Sequence, residues 1–218
     1  VAGADVLAGG DVIVCEYLRD STVKADQQVA VSGRAGSKMS GMILGGLTIA
    51  GNRICARSAG VDGSAVTNLI AGSQPSMLRQ VAELNRTITQ CEEIRRKTLA
   101  SLGGKKVDPQ RLRGMLCAML SRASGERRAV LARAVKGLMA LQTKLTDAVR
   151  DRQSVQQAMR VTTGQARIEI SGRVAPSVVV RIGDQSLRMR DQKLDVVDVT
   201  FCLGTAKSGE SHLRITSN

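Results

Sequence analysis

The stretch from Val6 to Val14 constrains this chain more than any other. Val6 and Ala8 stand two apart, Gly9-Gly10 follows, and Val12 and Val14 again stand two apart. A spacing of two puts side chains on one face of a strand. A glycine pair between two such runs supplies the backbone freedom of a tight corner. The design returns in Val23, Ala25, Asp26-Gln27-Gln28, Val29 and Val31, and more loosely in Ile49-Ala50, Gly51-Asn52, Ile54 and Ala56. Strand, corner, strand, repeating at about 17 residues, is the signature of a β-solenoid rung. The third copy is out of step: Ile49 adjoins its alanine, whereas Val6 and Val23 each stand two before theirs. A shift of one residue turns side chains to the other face, so this copy needs a bulge or a different register. The competing reading is a small sheet of antiparallel hairpins with coincidental likeness.

Composition favours the solenoid. Apolar residues make up 43% of the 218, but aromatics only 1%, namely Tyr17 and Phe201. A broad two-layer core usually draws on aromatics, while narrow solenoids and helical coils are filled by Val, Ile, Leu, Ala and Met. The net charge of +13 is unevenly spread. Residues 1–72 balance at 6 basic and 6 acidic, residues 73–160 hold 18 against 7, and residues 161–218 hold 8 against 6. The excess is one basic segment, which argues against a chain that binds nucleic acid along its whole length.

That segment changes period. Leu78, Val81, Leu84, Ile88 and Cys91 follow three-and-four spacing, with Ser73 as helix cap and Pro75 in the first turn. This helix is expected to run to about Leu102 and stop at Gly103-Gly104. Asp108-Pro109 opens a short second helix carrying Leu112, Leu116, Met119 and Leu120, to about Ala123, and Ser124 can cap a third helix. Leu131, Ala134, Leu138, Leu141, Leu145, Ala148 and Arg152 then keep an unbroken heptad spacing. Two helices of similar length, each with one narrow stripe, predict an antiparallel coiled-coil hairpin with the short helix at its tip.

Beyond Thr163-Gly164 the period returns to two, in Ile168 and Ile170, in Val178, Val180 and Ile182, and in Val197, Val199 and Phe201. Strand pattern on both sides of a helical segment predicts an insertion, with the chain rejoining its sheet to extend or cap it. The expected division is residues 1–73 as rungs, 74–160 as the basic hairpin, and 161–218 as completing or capping strands. The chain opens inside a rung pattern without an initiator Met, so it is expected to belong to a longer protein. A preceding region could carry a targeting signal or a further domain.

The order of these parts resembles the flagellar assembly protein A family over nearly the whole chain. The likeness rests on Ala8-Gly9-Gly10-Asp11-Val12, on Gly45-Gly46 followed by Ala50-Gly51, and on Thr67-Asn68-Leu69-Ile70-Ala71-Gly72 leading into a coil. It continues in Ala166 to Val174, Pro176, and Val180-Arg181-Ile182-Gly183. Two departures stand out: Ala175 and Ser177 flank Pro176 where the family has an aromatic and a glycine, and Asp26-Gln27-Gln28 replaces a glycine corner. The resemblance implies a right-handed parallel β-helix interrupted by a helical hairpin, a role in flagellar assembly or polar organisation, and no cofactor.

No motif carries catalysis. The five cysteines are scattered without a C-x-x-C, the one histidine, His212, has no motif partner, and no metal-ligand spacing occurs. Isolated thiols suit a reducing cytosol, and Cys91 reads as a small hydrophobe of the helical seam. Gly33-x-x-Gly36-x-Lys38 lacks the spacing and the following helix of a phosphate loop. Gly41-x-x-x-Gly45 lies in strand pattern, and Asp5, Asp11 and Asp20 lack the spacing of calcium-binding solenoids. The expected function is a non-enzymatic scaffold of the flagellar or cell-pole machinery, cytoplasmic or polar, with protein partners docking on the hairpin. Arg95, Arg96, Lys97, Lys105, Lys106, Arg127 and Arg128, near the expected tip, are the candidate docking residues. The alternatives are a binder of phosphate, in nucleic acid or an anionic membrane surface, and a self-assembling β-helix like MinC or the bactofilins. Nucleic acid is disfavoured because the segment has no aromatic to stack on bases, and a homo-oligomer is compatible with any of these readings.

Overall fold

The computed structural model describes residues 1–33, 40–63, 65–101, 114, 117–118, 120–191, 197–205 and 211–217. Three short strands make each of the first three turns of the chain. They are β1 (Asp5–Ala8), β2 (Val12–Val14) and β3 (Tyr17–Arg19), then β4 (Thr22–Ala25), β5 (Gln28–Val31) and β6 (Met42–Leu44), then β7 (Gly46–Ala50), β8 (Arg53–Ala56) and β9 (Ser58–Ala59). Each pairs in parallel with its counterpart one turn on, which gives three sheets and a β-solenoid. The antiparallel-hairpin alternative is therefore excluded for these rungs.

Stacked side chains explain the low aromatic content. Ala8, Ala25, Ala50 and Ala71 lie in register before one corner, and Val12, Val29, Ile54 and Ile168 lie in register after it. Leu18, Ile43 and Ala59 stack on the third face. Three inward rows of small and branched aliphatics fill the interior of the first turns. Val23, Val29, Ile54 and Leu69 are wholly buried, each worth roughly 1.5–3 kcal/mol of apolar burial.

The third copy needs no bulge. Ala50 stacks on Ala25 and Thr48 on Val23, so Thr48, at 1% exposure, fills the inward position while Ile49 faces outward. A threonine in an aliphatic column disguised the repeat. The stacked alanines are 17, 25 and 21 residues apart, because the corners differ in length while the strands stay in register.

The fourth turn is split. β10 (Thr67–Ala71) adds to the first sheet, and β11 (Arg167–Arg173) pairs in parallel with β8 on the second. β12 (Val178–Ile182) then stacks on β10. The last strands reverse direction: β13 (Gln185–Arg188) against β12, β14 (Val197–Thr205) against β11, and β15 (Ser211–Ser217) against β14. Phe201, fully buried, stacks on Ile168 at this end. The closing strands thus add two parallel and three antiparallel strands to the first and second sheets.

Between β10 and β11 lie two helices, α1 (Pro75–Ser101) and α2 (Gly125–Gln165). Leu102, the expected end of the first helix, and most of the expected short helix, including Asp108, Pro109, Leu112, Leu116 and Met119, lie outside the described residues. Two compact units result. One comprises Val1–Arg79 with Gln156–Asn218, the other Gln80–Val155.

Candidate functional site

The helical segment replaces one corner of the solenoid. The first three turns pass from β1 to β2, β4 to β5 and β7 to β8 through short corners, and the fourth passes from β10 to β11 through both helices. Polar side chains bridge successive corners: Gln28 donates through its backbone and side-chain amides to Asp11, and Asn52 Nδ2 donates to Gln27 Oε1 at 2.6 Å. Gly51 is required where two corners meet, because a Cβ there would collide with the Asp26 carbonyl oxygen.

The same corner starts the helix. Gln74 supplies the first intrahelical acceptor, its carbonyl receiving Leu78 N–H at 3.1 Å. The Asp26 carboxylate, two rungs away, accepts Ser76 N–H at 2.9 Å. Four amides at a helix start lack intrahelical partners, and a carboxylate there satisfies one of them and meets the positive end of the helix dipole. The cap is therefore Asp26 and not Ser73, whose amide instead continues the rung by donating to Ala50 O. Where the second helix returns, the Thr163 hydroxyl lies 2.8 Å from the carbonyls of both Met159 and Gly72. Gly72 has φ +81°, and a Cβ on it would lie 3.0 Å from Thr163 Cα. Departing and returning chains are thus pinned together before Arg167 N–H, bonded to Asn52 O, resumes the sheet.

Within the helical unit, Ile88 and Cys91 of α1 pack with Leu145 and Ala148 of α2, flanked by Leu84, Leu141 and Val149. Arg95 Nη1 reaches Gln142 Oε1 at 3.5 Å, and Asn85 Oδ1 accepts from Arg152 Nη1 at 3.2 Å. These two contacts run in opposite order along the helices, so the pair is antiparallel. The stripe differs from expectation in two places: Leu78 is 48% exposed and belongs to the solenoid unit, and Val135 is buried where Ala134 is only half-buried. Arg152 keeps its heptad position, with its Nε buried and without a hydrogen-bond partner. Cys91 is buried in the seam as expected.

The candidate docking residues are treated unequally. Arg96, Arg127 and Arg128 are exposed and make no ion pair among the described residues. Lys97 is paired with Glu93 at 2.8 Å, and that hydrogen bond holds the Glu93 carboxyl below its ordinary pKa. Arg95 is half-buried against Gln142. Lys105 and Lys106 lie outside the described residues, as do Gly36 and Lys38 of the loose phosphate-loop likeness. On α2, Arg133, Lys136 and Lys144 are also exposed, and no acid occurs between Glu126 and Asp147.

Elsewhere, ion pairs tie the returning strand to the rungs before the insertion. Arg53 pairs with Glu169, which raises the Arg53 pKa, and Arg173 Nη2 meets Asp62 Oδ2 at 2.9 Å. Cys55 lies opposite Glu169 on the neighbouring strand, its Sγ 4.0 Å from Glu169 Oε2, and burial pushes its thiol pKa up. Asp11 is taken up by Gln28 and Asp20 sits beside Arg19, and among the described residues no three His, Cys, Asp or Glu converge as a metal site. His212 is exposed on β15. Among the described residues, no helix is long and apolar enough to cross a membrane.

The model of the flagellar assembly protein A β-solenoid domain matches residues 1–206. The chain belongs to that family. No curated protein and no solved structure gives a significant match. Family membership connects this chain with flagellar assembly, and the sheets and corners described above are those of its solenoid domain. Asp26, at a position where the sequence departs from a glycine corner, is a capping residue that spacing alone did not single out.

Proposed function

We propose that this member of the flagellar assembly protein A family is a non-enzymatic scaffold whose basic helical hairpin docks an acidic protein partner of the flagellar or cell-pole machinery. The observation that carries the reading is the uncompensated charge of α2: Arg127, Arg128, Arg133, Lys136 and Lys144 are exposed with no acid among them, and Arg96 adds to it from α1. Exposed, unpaired cations steer and select an anionic partner more than they stabilise the fold that carries them. The capped start and the hydrogen-bonded return of the insertion hold both chain ends at one corner, as an arm that bears load requires.

The test is complementation of motility in a deletion strain by the full-length protein carrying Arg96→Glu, Arg127→Glu and Arg128→Glu. Wild-type protein is expected to restore swimming, and the triple variant, at equal abundance and with unchanged helical content, is expected to fail. Restoration by the variant, or normal swimming of the deletion strain, would refute the proposal. Binding of the wild-type chain to duplex or single-stranded nucleic acid that weakens steeply with salt and vanishes in the triple variant would instead support a phosphate-binding arm.

A further inference from the structure

We infer that the outer face of the first sheet is a second docking surface, shaped for an acidic amphipathic helix. The two large outer faces of the solenoid differ in chemistry. On the second sheet, Ile13, Ala30, Cys55, Glu169 and Thr200 form one outward row, apolar in its first two rungs and polar beyond, and Arg53, Arg167 and Cys202 lie in the next, closed by the Arg53–Glu169 pair. On the first sheet, Leu7, Lys24, Ile49, Ile70 and Arg181 follow one another in one outward row, and Leu47, Asn68 and Val179 in its neighbour. Exposed aliphatics gathered on one face and interleaved with basic side chains mark an interaction site.

The helix ends turn this patch into a groove. Leu78 from the first turn of α1, with Leu7, Ile49 and Pro75, lines a trough of about 500 Å³. Leu78 and Ile49 also line the neighbouring trough of about 810 Å³, with Ile70, Met159 and Leu203. Shared walls make the two troughs continuous, and all these residues belong to the solenoid unit. Leu7 is 55% exposed and Leu78 48%, a large exposure for two leucines lining one trough.

The charge identifies the occupant. Lys24, between Leu7 and Ile49, and Arg79, Arg160 and Arg181 line the groove against only Asp5 and Asp184. Lys24, Arg79 and Arg160 make no ion pair or side-chain hydrogen bond among the described residues, and Arg181 Nε is bonded only to the carbonyl of Gly183. Aliphatics set among unpaired cations call for an apolar stripe flanked by carboxylates. The groove lies on a sheet face, where every strand already pairs with its neighbours, so the occupant finds no backbone partners there. It must satisfy its own backbone, which a helix does and an extended segment does not. Six strands at ~4.8 Å spacing span about 24 Å, the length of a helix of about 16 residues.

The test uses the full chain and a fluorescent synthetic helix of about 16 residues, with a leucine stripe flanked by glutamates. The same helix flanked by lysines and vesicles of anionic lipid serve as competing probes. The acidic helix is expected to bind, more weakly as salt rises, and to lose about tenfold in affinity with Leu78→Glu or Leu7→Glu and severalfold with Arg79→Glu. Both leucines are about half exposed, so these variants keep the fold, which a thermal melt verifies. Arg127→Glu with Arg128→Glu is expected to leave this binding unchanged, which separates it from docking on the hairpin. Equal binding of the lysine-flanked helix, or affinity unmoved by Leu78→Glu, would overturn the inference. So would light scattering that shows a dimer dissolved by Leu78→Glu, or vesicle binding abolished by that substitution, since either assigns the face to another occupant.

Discussion

Replacing Asp26 tests how the solenoid holds its insertion. In Asp26→Ala the Ser76 amide loses its acceptor and the start of α1 loses the negative charge that meets its dipole. Exposed N-caps are worth about 1 kcal/mol, with a range of about 0.5–2. Asp26 is only 8% exposed, so water replaces the lost acceptor poorly, and the cost belongs at about 1.5–2 kcal/mol. For a chain of this size, about 1 kcal/mol moves Tm by roughly 2–4 °C, so a fall of about 3–8 °C is expected. Two probes are needed because two compact units need not unfold together. Helical circular dichroism follows the hairpin, and the single tyrosine, Tyr17 on β3, reports on the solenoid. Hydrogen exchange at Ser76 should quicken in the same variant. Asp26→Asn keeps an oxygen in place and should recover the melt to within a few tenths of a kcal/mol, asparagine and aspartate being comparable caps. Equal losses in the Ala and Asn variants, or no loss in Ala, would refute the capping argument.

The buried Nε of half-buried Arg152 should prove a stability cost that sets helix alignment. Arg152→Leu is expected to be as stable as wild type or up to about 1 kcal/mol more stable in urea melts, because an unpartnered buried Nε is removed while Asn85 is exposed to water. A loss above about 1 kcal/mol in a chain that stays monomeric would count against this. Cys55, its pKa raised by burial, should label with a thiol reagent at neutral pH about tenfold slower than exposed Cys15. Because the unfolded chain ionises this thiol first as pH rises, the group's effect is absent at neutral pH, and stability falls above the ordinary cysteine pKa. Cys55→Ser should flatten that alkaline fall, and equal labelling rates at Cys15 and Cys55 would contradict the reasoning.

The rungs were legible in sequence because they obey a short-range rule. Two-residue spacing around a corner located β1, β2, β4 and β5, and the same spacing placed β11, β12 and β14. Thr48 hid the third copy because its hydroxyl reads as polar while its shape fits an aliphatic column, so pattern counting favoured Ile49. The helices announced themselves by period, but their ends did not. Leu78 has the right spacing for the stripe, yet the first turn of α1 packs with the solenoid, and nothing local distinguishes the two fates. The cap at Asp26 was beyond reach for a related reason. Capping rules look a few residues upstream, whereas this carboxylate comes from 50 residues earlier in the chain, brought close by stacking. The basic run of the hairpin was plain in composition, while the groove on the first sheet needed the register of four strands before Leu7, Ile49 and Ile70 came into one row.

Placing the helices at a corner has a consequence for how such a protein can vary. The register of β10 is set by Ala71 over Ala50, and that of β11 by Ile168 over Ile54. Neither pairing depends on how many residues separate Gly72 from Ala166. Insertions and deletions there leave the stack unmoved, while a single residue gained inside a strand would turn every later side chain of that rung inside out. Loop closure rises only logarithmically with length, so a longer hairpin adds little entropic cost. The molecule thus separates a body whose length changes in whole rungs from an appendage whose length is free, and reach can be retuned without redesigning the frame.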